Sequence, residues 1–308
     1  MRKNHGSIVV WGFVFLSLLG SPCAASGWES ARVVAPKLSE ATRASFEQKL
    51  ATAQRDLAAA PASADALIWV GRRTAYLGRY QEAIRIFSTG VEKFPHDARF
   101  LRHRGHRLLS LRCSAEAQAD FERAAALTTG KADEIEPDGL PNARNIPTST
   151  LQTNIWYHLG LAHYVQGDFE AALVAYRECL ARSRNNDMVA ATSHWLYLTL
   201  RRLGRHGEAR AVLAPITDDF AVIEDHDYLK LLRMYQGKIT PEVMLAEFGR
   251  ADGGLSDASI GYGIGNWLQC EGRHAEALAV FRLILAGDQW SSLGYVAAES
   301  EVALLSKK

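Results

Sequence analysis

The sequence is poor in cysteine and has no marked excess of either charge. Its 308 residues include four cysteines, 35 basic residues and 34 acidic residues. The cysteines lie far apart and form no CxxC pair, which argues against a disulfide framework and favours small buried helix residues at Cys113, Cys179 and Cys270. No strongly basic region is available to neutralise phosphates, so the charge balance argues against nucleic acid as a partner.

Motifs of the common catalytic, nucleotide and metal sites are also missing. The sequence contains no GxSxG, HExxH or GxxxxGK[ST]. His103 and His106 have the spacing of two metal ligands on one helix, but the arginines around them oppose a cation and a third ligand is lacking. We therefore predict no metal, no cofactor and no enzymatic activity. Acid–base roles for His158, His163 or His194 stay open.

The amino terminus has the composition of a secretory signal peptide. Arg2 and Lys3 precede an apolar segment from Ile8 to Leu19, and small residues suited to a signal peptidase follow it. We predict cleavage after Ala25 and export of the mature protein to the periplasm or to the medium. Cleavage removes two basic residues and leaves 33 basic against 34 acidic residues, a net charge of −1.

Two alternatives to a cleaved signal stay open. One is an uncleaved membrane anchor, although the twelve residues of the apolar segment fall short of the about 20 that a spanning helix needs. The other is a lipoprotein anchored through Cys23, although Gly20 and Pro22 depart from the residues usual before such a cysteine. A membrane is expected as a partner only if Cys23 is lipidated.

A short pattern recurs along the chain. It combines a turn near glycine with an alanine and, one helical turn later, an aromatic residue or leucine. The marker pairs are Ala83/Phe87, Ala117/Phe121, Ala172/Tyr176, Ala209/Leu213 and Ala277/Phe281. An earlier helix carries a small residue where the second helix must approach closely, at Gly71, Gly105, Gly160 and Gly265. Helix, short turn and helix is therefore the predicted unit.

The spacing of the marker alanines gives the number of units. Ala83 and Ala117 are 34 residues apart. Ala209 and Ala277 are 68 residues apart, which is twice that interval and predicts a hidden unit at residues 226–248. The chain should therefore contain six units, of which the fifth is degenerate.

The best copy of the unit covers residues 154–180. Its markers are Trp156, Leu159, Gly160, Ala172 and Tyr176. They resemble the tetratricopeptide repeat, a helix pair with a period of 34 residues, although His163 stands where a tyrosine is usual. The resemblance implies an all-α, right-handed superhelical solenoid of antiparallel helix pairs.

The predicted organisation follows from these units. A stack of repeats needs a capping helix at each end to hide its apolar edges. The predicted segments are a signal peptide at 1–25, a linker and capping helix at 26–63, repeats 1 and 2 at 64–127, an insertion at 128–150, repeats 3 to 6 at 151–289 and a second capping helix at 290–308.

The insertion interrupts the period. The marker alanines across it are 55 residues apart, which is 34 plus 21, and three prolines forbid a long helix there. We hypothesise a flap beside or over the inner face of the repeats, in which Asn142, Arg144 and Asn145 offer hydrogen bonds. A solvent-exposed spacer is the alternative.

Arrays that this chain resembles commonly hold an extended peptide or a partner helix on a concave face lined by the first helices of the repeats. Positions i, i+4 and i+7 of those helices share one face. The predicted binding residues on it are Arg72, Arg102, His106, Tyr157, Tyr164, His194, Arg201, Tyr228, Tyr235, Tyr262 and Asn266. Five of the ten tyrosines fall on this face. The alternative is that the tyrosines pack the repeats themselves.

These features predict a non-catalytic scaffold that binds a protein or peptide in the concave groove. The arginines favour acidic groups on the partner. Two alternatives stay open: a lipoprotein adaptor that does the same at a membrane surface, and a glycan-binding protein or enzyme of the cell envelope that stacks sugars on the tyrosines.

Overall fold

The computed structural model describes residues 27–249 and 257–305. Within these ranges the chain forms fifteen helices and no β-strand, and none of the helices is both long and apolar enough to cross a membrane. The predicted signal peptide and Cys23 lie outside the described residues. The helices are α1 Gly27–Ser30, α2 Glu40–Ala59, α3 Ala64–Tyr76, α4 Tyr80–Lys93, α5 Ala98–Ser110, α6 Ser114–Thr128, α7 Leu151–Gln166, α8 Phe169–Arg182, α9 Asn186–Arg202, α10 His206–Leu213, α11 His226–Tyr235, α12 Pro241–Phe248, α13 Ala258–Cys270, α14 His274–Ala286 and α15 Leu293–Leu305.

Side-chain caps fix where most of the first helices begin. In five of them a polar side chain accepts a hydrogen bond from a backbone N–H of the first turn, which has no partner inside the helix. The capping residues of α3, α5, α7, α9 and α13 are Ser63, Asp97, Thr150, Asn185 and Asp257. The sequence therefore encodes these boundaries locally.

The helices form antiparallel pairs in which a glycine of the first helix lies against an aromatic ring of the second. A Cβ atom on Gly71 would lie 2.4 Å from Phe87, and one on Gly160 would lie 2.5 Å from Tyr176. Glycine alone allows so close an approach. The same contact recurs at Gly105/Phe121 and Gly265/Phe281. The predicted all-α, right-handed superhelical solenoid of helix pairs is confirmed.

The last helices return to the inner face of the array. α13 packs on α9, and α15 packs on both α5 and α7. Ser110 Oγ donates to Ser291 O over 3.4 Å, and Arg202 forms an ion pair with Glu301. The first helices of the middle repeats are therefore covered by the end of the same chain instead of by solvent.

One turn between paired helices differs from the others. Its residue Arg112 has a φ of +65°, a left-handed conformation that costs a residue other than glycine about 1–2 kcal/mol. The Arg112 guanidinium lies 3.9 Å from the centre of the Trp290 ring, and its Nε donates to Glu299 Oε2 over 2.7 Å. The corresponding turns use Gly78, Gly167, Gly204, Gly237 and Gly272.

The insertion occupies residues 129–150, between α6 and α7. Arg73 Nη1 of α3 donates to Gly139 O over 2.7 Å. Asn185 Nδ2, at the start of α9, donates to Thr148 O over 2.7 Å. The insertion thus passes along the inner face and contacts repeats on both sides of its own position in the sequence.

The cysteines divide into two groups. Cys179 and Cys270 are free thiols, and Cys179 is buried. Cys113, in the turn before α6, is disulfide-bonded. The interpretation favoured from the sequence, a small buried residue in a helix, therefore does not describe Cys113, which lies in a turn and is disulfide-bonded.

Candidate functional site

Most of the predicted groove residues belong to buried hydrogen-bond networks. Trp195 Nε1 donates to Tyr157 Oη over 2.8 Å, and Tyr157 Oη lies 3.3 Å from Tyr228 Oη. The Tyr235 hydroxyl lies 2.9 Å from His194 Nδ1. Burial lowers the pKa of His194 to about 3, so its ring is neutral at physiological pH. These side chains join the inner sides of repeats 3, 4 and 5.

A second network joins repeat 3 to repeat 6. Tyr262 Oη donates to Tyr164 Oη over 3.1 Å, and Asn266 Nδ2 donates to the same oxygen over 3.0 Å. Glu301 Oε1 of α15 lies 3.2 Å from the Tyr262 hydroxyl oxygen, and Glu301 pairs with Arg202. Tyr262 and Asn266 are fully buried. Their hydroxyl and amide groups are therefore used to hold the C-terminal repeat in place.

The open groove predicted over repeats 3 to 6 is absent from the described residues. The helices α13 and α15 cover that part of the inner face. The tyrosines there pack the repeats against each other, which was the alternative to a binding role. Tyr228 and Arg201 are partly buried, and Arg201 donates to Glu271 and Tyr197. The expectation of an exposed position is wrong for seven of the predicted residues, which are buried: Arg102, Tyr157, Tyr164, His194, Tyr235, Tyr262 and Asn266.

Three of the predicted residues, Arg72, Arg102 and His106, meet in a cavity between repeats 1 and 2. Its volume is about 120 Å³. Arg102 Nε lies 2.9 Å from Glu136 Oε2 of the insertion, and Arg102 Nη1 lies 3.2 Å from His103 Nδ1. We name it the basic cavity; its polar lining is Arg72, Tyr76, Arg102, His103, His106, Arg107 and Glu136.

Positive charge predominates in the basic cavity. Burial lowers the pKa of Arg107 to about 10, which leaves its guanidinium protonated at neutral pH. Burial and the neighbouring arginines lower the pKa of both His103 and His106 well below the usual value, so both rings are neutral. Three arginines therefore face one ion-paired carboxylate, Glu136. The same cations oppose metal binding by the two histidines.

The basic cavity continues into a groove along the first helices of repeats 1 and 2. An adjoining depression of about 210 Å³ shares three charged or polar lining residues with the cavity and adds Trp69 and Ile135. The guanidinium groups of Arg72 and Arg73 lie 4.4 and 4.7 Å from the Trp69 ring centre. A further depression of about 580 Å³ follows the insertion to Lys131. We refer to these connected openings as the repeat 1–2 groove.

The insertion forms one wall of the repeat 1–2 groove and exposes apolar side chains. Seven large apolar side chains are exposed in the described part of the chain, and three of them belong to this short segment. They are Ile135, Leu140 and Ile146, with exposed fractions of 66, 55 and 39 %. Such a concentration of exposed apolar surface is typical of an interaction site.

The predicted hydrogen-bonding residues of the insertion lie at its tip. Asn142 Oδ1 accepts from the N–H groups of Arg144 and Ile146 over 3.1 and 3.3 Å, and its Nδ2 donates to Ile146 O over 2.7 Å. Arg144 and Asn145 are exposed. The side chain of Asn142 thus shapes a turn within the insertion, and none of its described hydrogen bonds reaches the repeats.

Sequence reasoning missed three residues of the repeat 1–2 groove: Trp69, Arg107 and Glu136. Trp69 precedes Arg72 by three positions, a spacing that places both on one helical face. Arg107 follows His106 directly, so the cluster of basic residues in α5 was a usable signal. No local pattern indicates that Glu136 reaches Arg102, because that contact depends on the path of the insertion.

Comparison with protein families identifies one of the helix pairs. The family model of the tetratricopeptide repeat matches residues 153–186, which include most of α7 and all of α8. This segment is similar to a tetratricopeptide repeat. The other helix pairs share its contact between a glycine and an aromatic ring at Gly71, Gly105 and Gly265. None of the curated proteins that were compared with the chain matches it.

Several solved structures are similar in fold. YrrB, described as a TPR protein with an unusual peptide-binding site, is 13 % identical with a TM-score of 0.43, over 76 % of this chain and 91 % of YrrB. Naa15/Naa10 bound to HypK-THB is 14 % identical with a TM-score of 0.37, over 78 % of this chain and 34 % of the other. The APC/C hetero-tetramer Cut9-Hcn1 is 16 % identical with a TM-score of 0.36, over 85 % of this chain and 47 % of the other. At these identities the similarity concerns the fold alone.

Proposed function

We propose that the protein is a non-catalytic scaffold that binds a segment of a partner protein in the repeat 1–2 groove. One observation carries the proposal. Within the described residues, the end of the chain packs on the inner face of repeats 3 to 6, whereas the inner face of repeats 1 and 2 contains the openings of the repeat 1–2 groove beside the insertion. Helix-pair arrays expose extended concave surfaces of this kind for binding.

The chemistry of the groove supports a segment that carries acidic and apolar residues. Arg72, Arg102 and Arg107 can form charge-assisted hydrogen bonds, for which carboxylate groups are the best-matched acceptors. Trp69 and Ile135 provide apolar surface next to these charges. Tryptophan and arginine are the residue types that most often dominate the binding energy of protein interfaces.

A glycan-binding role gains no support from the geometry. Stacking of a sugar needs an accessible aromatic face, and the tyrosines on which that interpretation depended lie in buried or partly buried networks. Trp69 is one of the aromatic residues that line the groove, and its ring is already flanked by Arg72 and Arg73. Guanidinium groups at that position favour an anionic partner over a neutral one.

A photo-crosslinking amino acid placed in the groove tests the proposal. With the crosslinker at Trp69 or Ile135, we expect a defined adduct with one protein in a cell extract of the source organism, which mass spectrometry identifies. The matched positions Val174 and Val243 are exposed on α8 and α12, outside the groove. Adducts of equal yield at all four positions, or none at the two groove positions, would contradict the proposal.

A charge reversal supplies a second arm of this experiment. Arg72→Glu should lower the yield of the adduct at Ile135, because it places a negative charge where an acidic segment binds. Arg43→Glu, on an exposed position of α2, is the matched control and should leave the yield unchanged. If both variants lost the adduct, the loss would be due to a long-range effect of the net charge and would not support binding in the groove.

We also propose that the protein is exported, on the support of the sequence of residues 1–25. Intact-mass measurement of the mature amino terminus tests this. A chain that begins at Ser26 agrees with cleavage after Ala25, and a diacylated Cys23 supports the lipoprotein alternative. A chain that keeps residues 1–25 without modification contradicts both.

A further inference from the structure

We infer that the basic cavity is a binding site for one compact oxyanion, a phosphate or carboxylate group, held by Arg72, Arg102 and Arg107. Where that group belongs to a partner segment, the inference rests on the proposed function. Where it is a free inorganic anion, the site stands by itself. The chemistry that recognises the group is the same in both cases.

The charges around the cavity do not balance without an anion. Three arginines line it, and Glu136 forms an ion pair with Arg102. Asp138, farther along the insertion, makes no ion pair in the described part of the chain, and burial raises its pKa. Among the described residues, at least one guanidinium therefore has no counter-charge in a partly desolvated place, where unpaired charge is costly.

The donors that could hold an anion are free to do so. The guanidinium N–H groups of Arg72 and Arg107 donate no hydrogen bond to any described residue, and both side chains are only partly exposed. Other cations at the rim are already engaged: Arg73 donates to Gly139 O and Arg99 is paired with Asp97. The two free arginines thus present unused donors to the same small space.

Aromatic rings and imidazoles hold the arginines in position. Arg72 lies over the Trp69 ring and Arg107 lies 5.6 Å from the centre of the Tyr80 ring. Arg102 Nη1 lies 3.2 and 3.5 Å from Nδ1 of His103 and of His106. Because both rings are neutral, their Nδ1 atoms can accept from Arg102. Arginines that are positioned before the ligand arrives lose less entropy on binding.

The size of the cavity limits the ligand to a small group. Its volume of about 120 Å³ is small beside the about 300–1,000 Å³ of a pocket that takes a drug-sized ligand. A phosphate or a carboxylate fits such a space, whereas a nucleotide or a sugar phosphate would need the adjoining depression as well. We therefore restrict the inference to the oxyanion itself.

Titration with inorganic phosphate tests the site on the full chain. At an ionic strength held constant with sodium chloride, isothermal titration calorimetry should show saturable binding to one site. Arg107→Gln should weaken phosphate binding about tenfold or more through the loss of a charge-assisted bond. Glu136→Gln should strengthen it, because the substitution removes the carboxylate that competes for Arg102. A purely structural role of these residues would not shift the affinity in opposite directions.

Two controls keep the test decisive. Arg43→Gln changes the same net charge at an exposed position of α2 and should leave phosphate binding unchanged. Circular dichroism shows whether each variant folds, and Arg72→Gln, at a partly exposed position, replaces Arg107→Gln if the latter does not. If Arg43→Gln and Arg72→Gln weakened phosphate binding equally, the effect would come from the net charge of the protein alone, and the inference would be overturned.

A second titration separates the two sources of the oxyanion. If a capped tri-aspartate peptide binds and phosphate displaces it, the group belongs to a partner segment. If phosphate alone binds, the ligand is a free anion; both results support the site. No saturable binding of either ligand to the natural chain or to Glu136→Gln overturns it, even when crosslinks form at Ile135. Phosphate binding without any crosslink contradicts only the proposed function.

Discussion

Arg112 occupies a left-handed turn position at which five other turns between paired helices use glycine. Its side chain lies over Trp290 and pairs with Glu299. The backbone conformation costs about 1–2 kcal/mol, and a cation–π contact with a buried ring contributes about 2 kcal/mol or less. The two effects have opposite signs and similar size, so they nearly cancel. Arg112 therefore adds little to the net free energy of unfolding, but it forms a contact with the C-terminal end of the chain.

Replacing Arg112 with glycine should therefore loosen the C-terminal helix without unfolding the protein. We expect the free energy of unfolding to change by no more than about 1 kcal/mol, while amide hydrogen exchange in residues 293–305 becomes faster. Arg112→Asn tolerates the same backbone conformation and should loosen α15 as well. Unchanged exchange of α15 in both variants would show that Arg112 does not hold it.

Asp225 gives a pH dependence of known sign. Burial, with Asp187 and Glu224 nearby, raises the pKa of Asp225 to about 7. In the unfolded chain the pKa of an aspartate is about 3.9. Between about pH 4 and pH 7 the folded state therefore binds more protons at Asp225 than the unfolded state does. The contribution of Asp225 to stability therefore falls as the pH rises from about 4 to 7.

Asp225→Asn removes the charge and should stabilise the fold only where Asp225 is ionised. We expect a gain of roughly 1–2 kcal/mol at pH 8 and none near pH 4, measured by urea denaturation at both values. Asp225 precedes α11 but makes no side-chain capping bond there, so the amide removes no cap. Asp56→Asn, exposed on α2, is the control. A gain of equal size at both pH values would refute the electrostatic explanation.

At the scale of elements, the helix pairs could be predicted because their determinants are close in sequence. Gly71 and Phe87, like Gly160 and Tyr176, are 16 residues apart and meet across a single turn. The cap at Thr150 likewise lies next to the helix it starts. Such short-range signals can be recognised without knowledge of the rest of the chain. The path of the insertion cannot be predicted in this way, because it depends on contacts with helices that are distant in sequence.

The insertion is held to α3 at Gly139, which offers a prediction for this element. A Cβ atom on Gly139 would lie 1.7 Å from Tyr76 Oη, and Gly139 O accepts from Arg73. Gly139→Val should separate the insertion from α3 and speed amide exchange of residues 135–140 by about tenfold or more, with little change in global stability, because local opening is independent of global unfolding.

The matched substitution for Gly139→Val is Ala143→Val, at the exposed tip of the same segment. It adds a comparable side chain where nothing opposes it, and exchange of residues 135–140 should keep its natural rate. If Gly139→Val left both the exchange rate and the crosslinking yield at Ile135 unchanged, the insertion would not depend on this contact to form the wall of the groove.

At the scale of the whole molecule, remote contacts explain why the exposure of the inner face could not be predicted. Tyr164 and Tyr262 share a hydrogen bond although they are 98 residues apart, and Arg112 and Glu299 are 187 apart. Helical periodicity indicates which side of a helix a tyrosine occupies. Helical periodicity does not indicate which other segments cover that side. Their coverage depends on whether the end of the chain packs back on the earlier repeats.

The closure predicts cooperative unfolding. In an open array each repeat contacts only its neighbours, and distant repeats unfold independently. Here Trp290, in the segment before α15, is buried between remote parts of the chain. Its ring centre lies 6.4 Å from that of Tyr80, the first residue of α4, and Arg112 lies on it. Repeats 1 and 2 should therefore respond to changes at the C-terminal end.

Trp290→Ala tests this coupling. The substitution removes a buried aromatic side chain and should cost about 3–5 kcal/mol, with faster amide exchange in α4 and α5 as well as in α15. Trp267→Ala removes the same side chain type from α13, where it is partly buried, and its effect should stay within the helices packed on α13. If Trp290→Ala increased the amide exchange rate only in residues 257–305, repeats 1 and 2 would be thermodynamically independent of the C-terminal end. The array would then behave as an open one.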